Sequence, residues 1–257
     1  MKKLKIGIVG IGRIGKIHIK NISENINDAI IYAAAKVNVK NLPYLNKFGV
    51  KKIYNNFEEL VKDPLIDAVI ISSPTNFHSE HIKLASKYKK HIFCEKPIDL
   101  SMDKVKEVLD LVYKSGIKFM VGFNRRFDPN FNKVKKFSVA KKIGTTQIIK
   151  ITSRDPNPPP IEYIKGSGGM FLDMAIHDFD MARYIVGSEV YSVFSSGKVF
   201  GDKKIEEQGD IDTAITILTF QNGSMATIDN SRKANYGYDQ RIEVFGSKGM
   251  NGINNKV

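Results

Sequence analysis

A chain of 257 residues, 42% hydrophobic and 26% charged, has the length of one large or two ordinary domains and buries roughly 70–75% of its unfolded surface. Its single cysteine, Cys94, excludes an internal disulfide framework and suits a reducing, cytoplasmic compartment, and no apolar run approaches the roughly 18 residues of a membrane helix. The formal net charge of +13 raises the question of nucleic acid, but the lysines are spread along the whole chain. Their densest cluster, residues 135–142, lacks the interleaved aromatic platform of a single-strand binder, so no nucleic-acid partner is expected. The same field still draws in an anionic small molecule. The start, M-K-K-L-K-I-G-I-V-G, imitates a leader peptide, yet its apolar run is short, broken by glycine and without a small-residue cleavage site.

The first predicted element is a strand of Ile6, Ile8 and Val9 that runs into Gly10, Gly12 and Gly15, followed by the helical I-G-K-I-H-I-K-N-I. This is the spacing of a dinucleotide-binding turn. Gly10 permits the sharp turn, Gly12 lets a pyrophosphate approach bare backbone, and Gly15 lets the helix pack close on the strand. The phosphates then meet the helix N-terminus, where unpaired N–H groups and the helix dipole favour negative charge. A second strand is predicted over 29–35 and a helix near 40–48. Next come a short strand at Ile53-Tyr54, a helix at F-E-E-L-V and an uninterrupted apolar strand over 67–73. Helix 79–89, strand 91–94, a helix over 101–115 opened by a Ser101 cap and closed at Gly116, and a strand at 118–122 complete the alternation. Continuous apolar strands joined by short helical links imply a doubly wound parallel sheet buried on both faces.

From about Asn124 the texture changes. A helix near 129–137 leads to a strand over 147–153, and D-P-N-P-P-P at 155–160 excludes both helix and central strand. One helix is predicted from Gly169 to Val186. Strands follow near 190–200, 213–220 and 224–230, with Gln221-Asn222-Gly223 as the hairpin turn between the last two, and a final strand spans 241–245. Mostly antiparallel strands after a parallel set indicate an α+β second domain, and the boundary is placed between residues 1–122 and 123–257.

Some side chains stand where chemistry needs them. Lys96 follows the carboxyl end of a strand, where open α/β sheets bind ligands, although a surface lysine at a turn has the same pattern. Asp173 and His177 are four apart, which on an α-helix places them on one face as an oriented base or as an ordinary solvated pair. His78 in P-T-N-F-H follows a strand end; His18, His81 and His91 have no comparable partner spacing, and neither they nor Cys94 have metal-ligand spacing. At the end of the second strand stands Lys36, which cannot accept a hydrogen bond from a ribose hydroxyl and favours a 2′-phosphate. Asn38 nearby can still bond a ribose.

The glycine turn, C-E-K-P at 94–97, G-F-N-R-R-F-D-P at 122–129 and G-G-M-F-L-D-M-A-I-H-D-F-D at 168–180 together resemble the Gfo/Idh/MocA oxidoreductases. Within them, S-R-D-P-N-P-P-P and N-Y-G-Y-D-Q-R point to the branch that acts on inositols. The resemblance implies an N-terminal doubly wound parallel Rossmann sheet joined to a C-terminal α+β domain with a mostly antiparallel, open-faced sheet. It implies a hydride carrier, NAD or NADP with a slight lean to NADP from Lys36, and a polyol substrate, myo-inositol first. Cofactor contacts are then expected from Gly10, Gly12, Arg13, Ile14, Gly15, Lys36, Asn38, Ser73, Pro74, Thr75, His78, Glu95 and Lys96. His177 takes the general-base role, Asp173 orients it, and Lys96 bonds the reacting oxygen. Arg125, Asp155 and Tyr238 hold further hydroxyls, although Arg125 and Tyr238 also suit packing and Asp155 a turn cap before Pro156. Relatives continue beyond G-S-K-G-M-N-G-I-N-N-K-V, so the resemblance implies a C-terminal truncation and a homo-oligomer formed through the second sheet. A nucleotide-holding relative without turnover and a dehydrogenase of another sugar are the alternatives.

Overall fold

The computed structural model describes residues 3–255. Met1, Lys2, Lys256 and Val257, and with them both outer ends of the expected domains and part of the leader-like start, lie outside the described residues. Two compact units divide between Gly122 and Phe123.

In the first unit the strands are β1 (Leu4–Val9), β2 (Ala29–Ala35), β3 (Lys52–Tyr54), β4 (Ala68–Ile71), β5 (His91–Cys94) and β6 (Phe119–Val121). They pair in the order β3-β2-β1-β4-β5-β6, every neighbour parallel. The connecting helices are α1 (Arg13–Asn25), α2 (Leu42–Lys47), α3 (Phe57–Lys62), α4 (His78–Lys87) and α5 (Met102–Ser115). Side chains alternate across a strand, so neighbouring residues of β1 feed opposite cores. Ile8 packs with Ile19, Ile31 and Leu45, while Val9 packs with Leu60, Ile71, Ile82 and Val108. Burial on both faces is why these strands carry no polar alternation, each fully buried Ile or Leu contributing roughly 1.5–3 kcal/mol. Two local expectations are corrected. The strand predicted over 67–73 ends at Ile71, because Ser72 turns its hydroxyl back to the Val9 and Gly10 carbonyls. Ser101 precedes α5 without a side-chain cap bond; its own N–H instead donates to Asp99 Oδ1.

The second unit carries β7 (Thr146–Arg154), β8 (Val190–Lys198), β9 (Thr213–Phe220), β10 (Met225–Ser231), β11 (Asp239–Gly246) and β12 (Gly249–Ile253) in the order β12-β11-β7-β10-β9-β8. Only β7 and β10 run parallel among these neighbours. On one face α6 (Pro129–Val139) and α8 (Ile176–Val186) bury Phe131, Val134, Met181 and Ile185 against Ile149, Ile151, Leu218, Ile228 and Val244. The other face is open and displays Phe194, Ile215 and Ile217. Short helices α7 (Ile161–Ser167) and α9 (Lys203–Glu206) lie in stretches without a predicted element. β12 likewise extends the sheet beyond the strand predicted as its last, in a glycine-rich segment whose side chains give no strand alternation. The single helix predicted over 169–186 is in fact composite. Met170–Ala175 is π-helical and only Ile176–Val186 is α-helical, with Gly187 closing it in the left-handed region at φ +70°.

Candidate active site

The glycine turn owes its shape to contacts that no side chain could share. A Cβ at Gly15 would stand 2.0 Å from the Gly10 carbonyl oxygen, and one at Gly10, whose φ is +91°, 2.3 Å from the Ser72 backbone. Gly12 is different: a Cβ there would meet nothing within 4 Å. It caps α1 with extended backbone, and no acidic side chain occupies the first turn. An open approach to unpaired helix N–H groups with no competing carboxylate is what a pyrophosphate requires, so the residues present fit a dinucleotide. Arg13 is exposed and Ile14 half-buried at the start of this helix.

Around the carboxyl ends of the strands, several expected cofactor residues are themselves held by hydrogen bonds. Lys36 takes a left-handed φ of +53° while its N–H donates to the Tyr54 carbonyl, and its ammonium lies 5.3 Å from the Phe77 ring centre. Asn38 spends its side-chain oxygen on the Lys40 N–H at 3.0 Å. Pro74 and Thr75 open a short 3₁₀ turn. His78 is 1% exposed, with Nε2 2.7 Å from the Ser73 carbonyl and Nδ1 2.7 Å from the Pro97 carbonyl. The ring therefore lies inside the fold and ties the segment after β4 to the one after β5. His81 bonds the Ser73 hydroxyl at 3.0 Å; burial first, then Lys36 and His78, lowers its pKa to about 4. Glu95 meets His18 Nε2 at 2.7 Å, and Lys96, half-buried, follows it through a cis bond to Pro97.

In the second unit, the α-helical spacing argument for Asp173 and His177 gives way to another geometry. Asp173 sits in the π-helical segment and His177 in the first turn of α8, so the two are not successive positions on one regular helix. Asp173 Oδ1 accepts a hydrogen bond from the Tyr163 hydroxyl at 2.9 Å, and Oδ2 lies 3.5 Å from Arg232 Nη1. The half-buried His177 ring meets Phe123 edge-on, with centroids 6.4 Å apart. Single-turn π segments recur at functional sites because they re-aim side chains that a regular helix would align.

Of the three expected polyol residues, Arg125 and Tyr238 line one groove of about 610 Å³ together with Asn124, Asn130, Gln240 and Asn255. Arg125 is anchored there: Nη1 pairs with Asp178, which is fully buried and also accepts from Asn230 Nδ2 at 2.8 Å. Its Nη2 donates to Ser153 Oγ at 3.2 Å. Tyr238 is exposed and donates to Gln240 Oε1 at 3.3 Å. Asp155 is half-buried; burial foremost pushes its carboxyl pKa up, against the pull of Arg232 and Arg125. Residues that sequence reasoning passed over are Arg232, Asp210, Tyr163 and Asp178; in the first unit His18, read as lacking partner spacing, meets Glu95. Of the residues passed over, only Asp178 lay in a motif already singled out, the H-D-F-D that ends 168–180. Among the described residues there is no cluster that holds a metal ion and no helix long and apolar enough to cross a membrane.

Comparisons with known proteins agree with this geometry. Residues 4–123 match the oxidoreductase family with an NAD-binding Rossmann fold, and residues 131–251 match the GFO/IDH/MocA C-terminal domain. The chain is 51% identical over 247 residues to the myo-inositol 2-dehydrogenase of Thermotoga maritima, covering 96% of this chain and 74% of that protein. Identity to the inositol 2-dehydrogenase of Rhizobium meliloti is 45%, with 96% and 74% covered. The crystal structure of scyllo-inositol dehydrogenase from Lactobacillus casei with bound NAD(H) and scyllo-inositol superposes with a TM-score of 0.91 at 35% identity, covering 98% of this chain and 76% of that one.

Proposed function

Because the chain belongs to the Gfo/Idh/MocA oxidoreductase family, we propose that it is an NAD-dependent inositol dehydrogenase that removes a hydride from a ring carbon of myo-inositol or a close ring polyol. The observation that carries this reading is half-sequence identity, across almost the whole chain, to an enzyme named for that reaction. When bound, NAD supplies the nicotinamide ring that accepts the hydride. Gly12 and the first turn of α1 receive the pyrophosphate, and Ser73, Pro74, Thr75 and Glu95 border the nicotinamide end. Lys36 and Asn38 face the adenosine ribose, where the lysine adds tolerance for the 2′-phosphate of NADP.

His177 takes the proton from the substrate hydroxyl oxygen, and Asp173 holds the imidazole in orientation. Lys96 donates a hydrogen bond to that oxygen and stabilises its developing negative charge. An imidazole suits the step because its unperturbed pKa of about 6.5 lies near working pH, and positioned bases of this kind contribute about 10²–10⁴-fold. Asp155 and Tyr238 meet further ring hydroxyls. Arg125, held by Asp178, presents a fixed edge rather than a mobile fork. The open face of the second sheet, with Phe194, Ile215 and Ile217 exposed, supports a homo-oligomer formed through it, and the buried lone thiol of Cys94 supports a cytoplasmic setting.

The test is absorbance of reduced nicotinamide with NAD and with NADP across a panel of inositols and aldoses. Turnover of myo- or scyllo-inositol is the expected result. Nucleotide binding without turnover of any polyol would replace the enzyme reading with that of a nucleotide-holding relative.

A further inference from the structure

Arg232 follows β10 and is 1% exposed, one of the largest fully buried side chains in the molecule. Burying a guanidinium is costly unless it closes strong hydrogen bonds, and this one does so incompletely. Its Nη1 lies 3.5 Å from Asp173 Oδ2 and its Nη2 3.6 Å from Asp210 Oδ2, while Nε and Nη2 find no hydrogen-bond partner. The contacts are ionic rather than closed forks, so replacing all three charged groups together by apolar ones would cost little stability, whereas removing the guanidinium alone strands two carboxylates. What the cation does achieve is geometric. Asp210 Oδ1 accepts the N–H of Met170 at 2.9 Å, the first residue of the π-helical segment, and Asp173 lies further along the same segment. One guanidinium thus braces that segment at two points, Met170 through Asp210 and Asp173 directly. The Arg232 N–H is fixed in turn by the Asp212 carbonyl at 2.7 Å.

We propose that Arg232 is a positioning residue for the dehydrogenase reaction, a buried cation that braces the π-turn carrying Asp173 and sets the local charge against which His177 gains and loses its proton. The proposal rests on the reading of His177 as the base. The charged and titratable groups around this centre are Asp173 itself, Tyr163 in α7, Asp210 after α9, Asp155 after β7, and the Arg125–Asp178 pair. His177 follows the braced segment in the first turn of α8, so a cation on that segment opposes protonation of its imidazole and the Asp210 carboxylate favours it, and removing the two charges has opposite effects. A merely structural brace has no such sign.

The decisive experiment is the pH profile of kcat/KM for inositol oxidation with NAD in the full chain and in Arg232→Met, Asp210→Asn and Arg232→Lys. For Arg232→Met the acid limb moves up by about one pH unit. Its kcat falls about 10²-fold through misplacement of the base, with KM for NAD within about twofold of wild type. In Asp210→Asn the acid limb moves down, and in Arg232→Lys it stays in place while kcat recovers only in part. Acid limbs that stay put in both neutralised variants, or that move the same way, would overturn the proposal. Should Arg232→Met fail to fold, Asp210→Asn and Arg232→Lys decide it by the same criteria. Should the wild-type chain oxidise no polyol, the dehydrogenase reading fails separately. The inference is then read from the NMR titration of the His177 ring in the same variants, where opposed displacements support it and coincident curves refute it.

Discussion

Two turns in this molecule precede a helix that carries candidate chemistry, and they are built from different materials. In the first unit, the proposed phosphate site is built from backbone alone by Gly10, Gly12 and Gly15, within six residues of one another, and a Cβ at Gly12 would meet nothing within 4 Å. In the second unit, the π-turn at Met170–Ala175 is held by side chains from distant segments: Tyr163 lies 10 residues before Asp173, and Arg232 lies 59 after it. A backbone site needs only local conformational freedom. A side-chain site needs the whole fold to bring its charges together, and each buried charge must be matched.

The contrast can be broken most sharply at His177, the proposed base. His177→Ala should lower kcat by about 10²–10⁴-fold while NADH affinity, measured by fluorescence titration, stays at the wild-type value, since the nucleotide turn is independent of that side chain. Next comes the side-chain scaffold. Asp178→Ala strands the Arg125 cation, whose side chain is 14% exposed, and should cost about 3–5 kcal/mol in urea unfolding, part of it regained in the double variant with Arg125→Met. In the backbone site, Gly15→Ala drives a methyl to 2.0 Å from the Gly10 carbonyl and should cost about 1–3 kcal/mol. Gly12→Ala, whose methyl enters open space, should melt like wild type yet bind nucleotide about tenfold more weakly if the phosphates approach there as proposed.

Smaller effects follow from charges away from both turns. Against the upward push of burial, the Tyr54 hydroxyl at 2.6 Å, the Leu65 N–H and Lys52 hold the Asp63 carboxyl down at about 2. A carboxyl depressed in the folded state stabilises above its unfolded pKa and loses that contribution as the proton is taken up. Melting temperature should therefore fall between pH about 4 and about 2, and Asp63→Asn should flatten that part of the curve. Least of all, Lys36→Asp should move the ratio of kcat/KM toward NAD by about fivefold, the worth of an exposed charge contact.

The same contrast explains what could be read from the chain. β1, the glycine turn and α1 were legible because their chemistry is local: apolar residues on both sheet faces, then glycines where a Cβ has no room or would bar a ligand. The parallel order of the first sheet follows from strand and helix alternation in short links. In the second unit, the strands around Gln221-Asn222-Gly223 were legible from turn chemistry, and Gly223 does take φ +85°. The π-turn was not. Its wind depends on Asp210 accepting the Met170 N–H from 40 residues away, and nothing in G-G-M-F-L-D-M-A shows that the helix departs from regular spacing. Asp173 and His177 stand out in the sequence by residue type, and the regular-helix geometry assigned to them gives way to a π-helical segment followed by an α-helix. Arg125 was read as a hydroxyl binder or a packing residue, and its pairing with the buried Asp178 spans 53 positions that no local pattern connects. β12 escaped because Gly249 and Gly252 leave few side chains to alternate.

Hydride transfer from inositol is the claim on which the rest turns, and an isotope reads it directly. With myo-inositol deuterated at C2 and unlabelled NAD, the deuterium should appear on the nicotinamide of the reduced product, and single-turnover rates should fall relative to the protiated substrate. Oxidised inositol formed with no label on the nicotinamide, or with label released to water, would contradict the account.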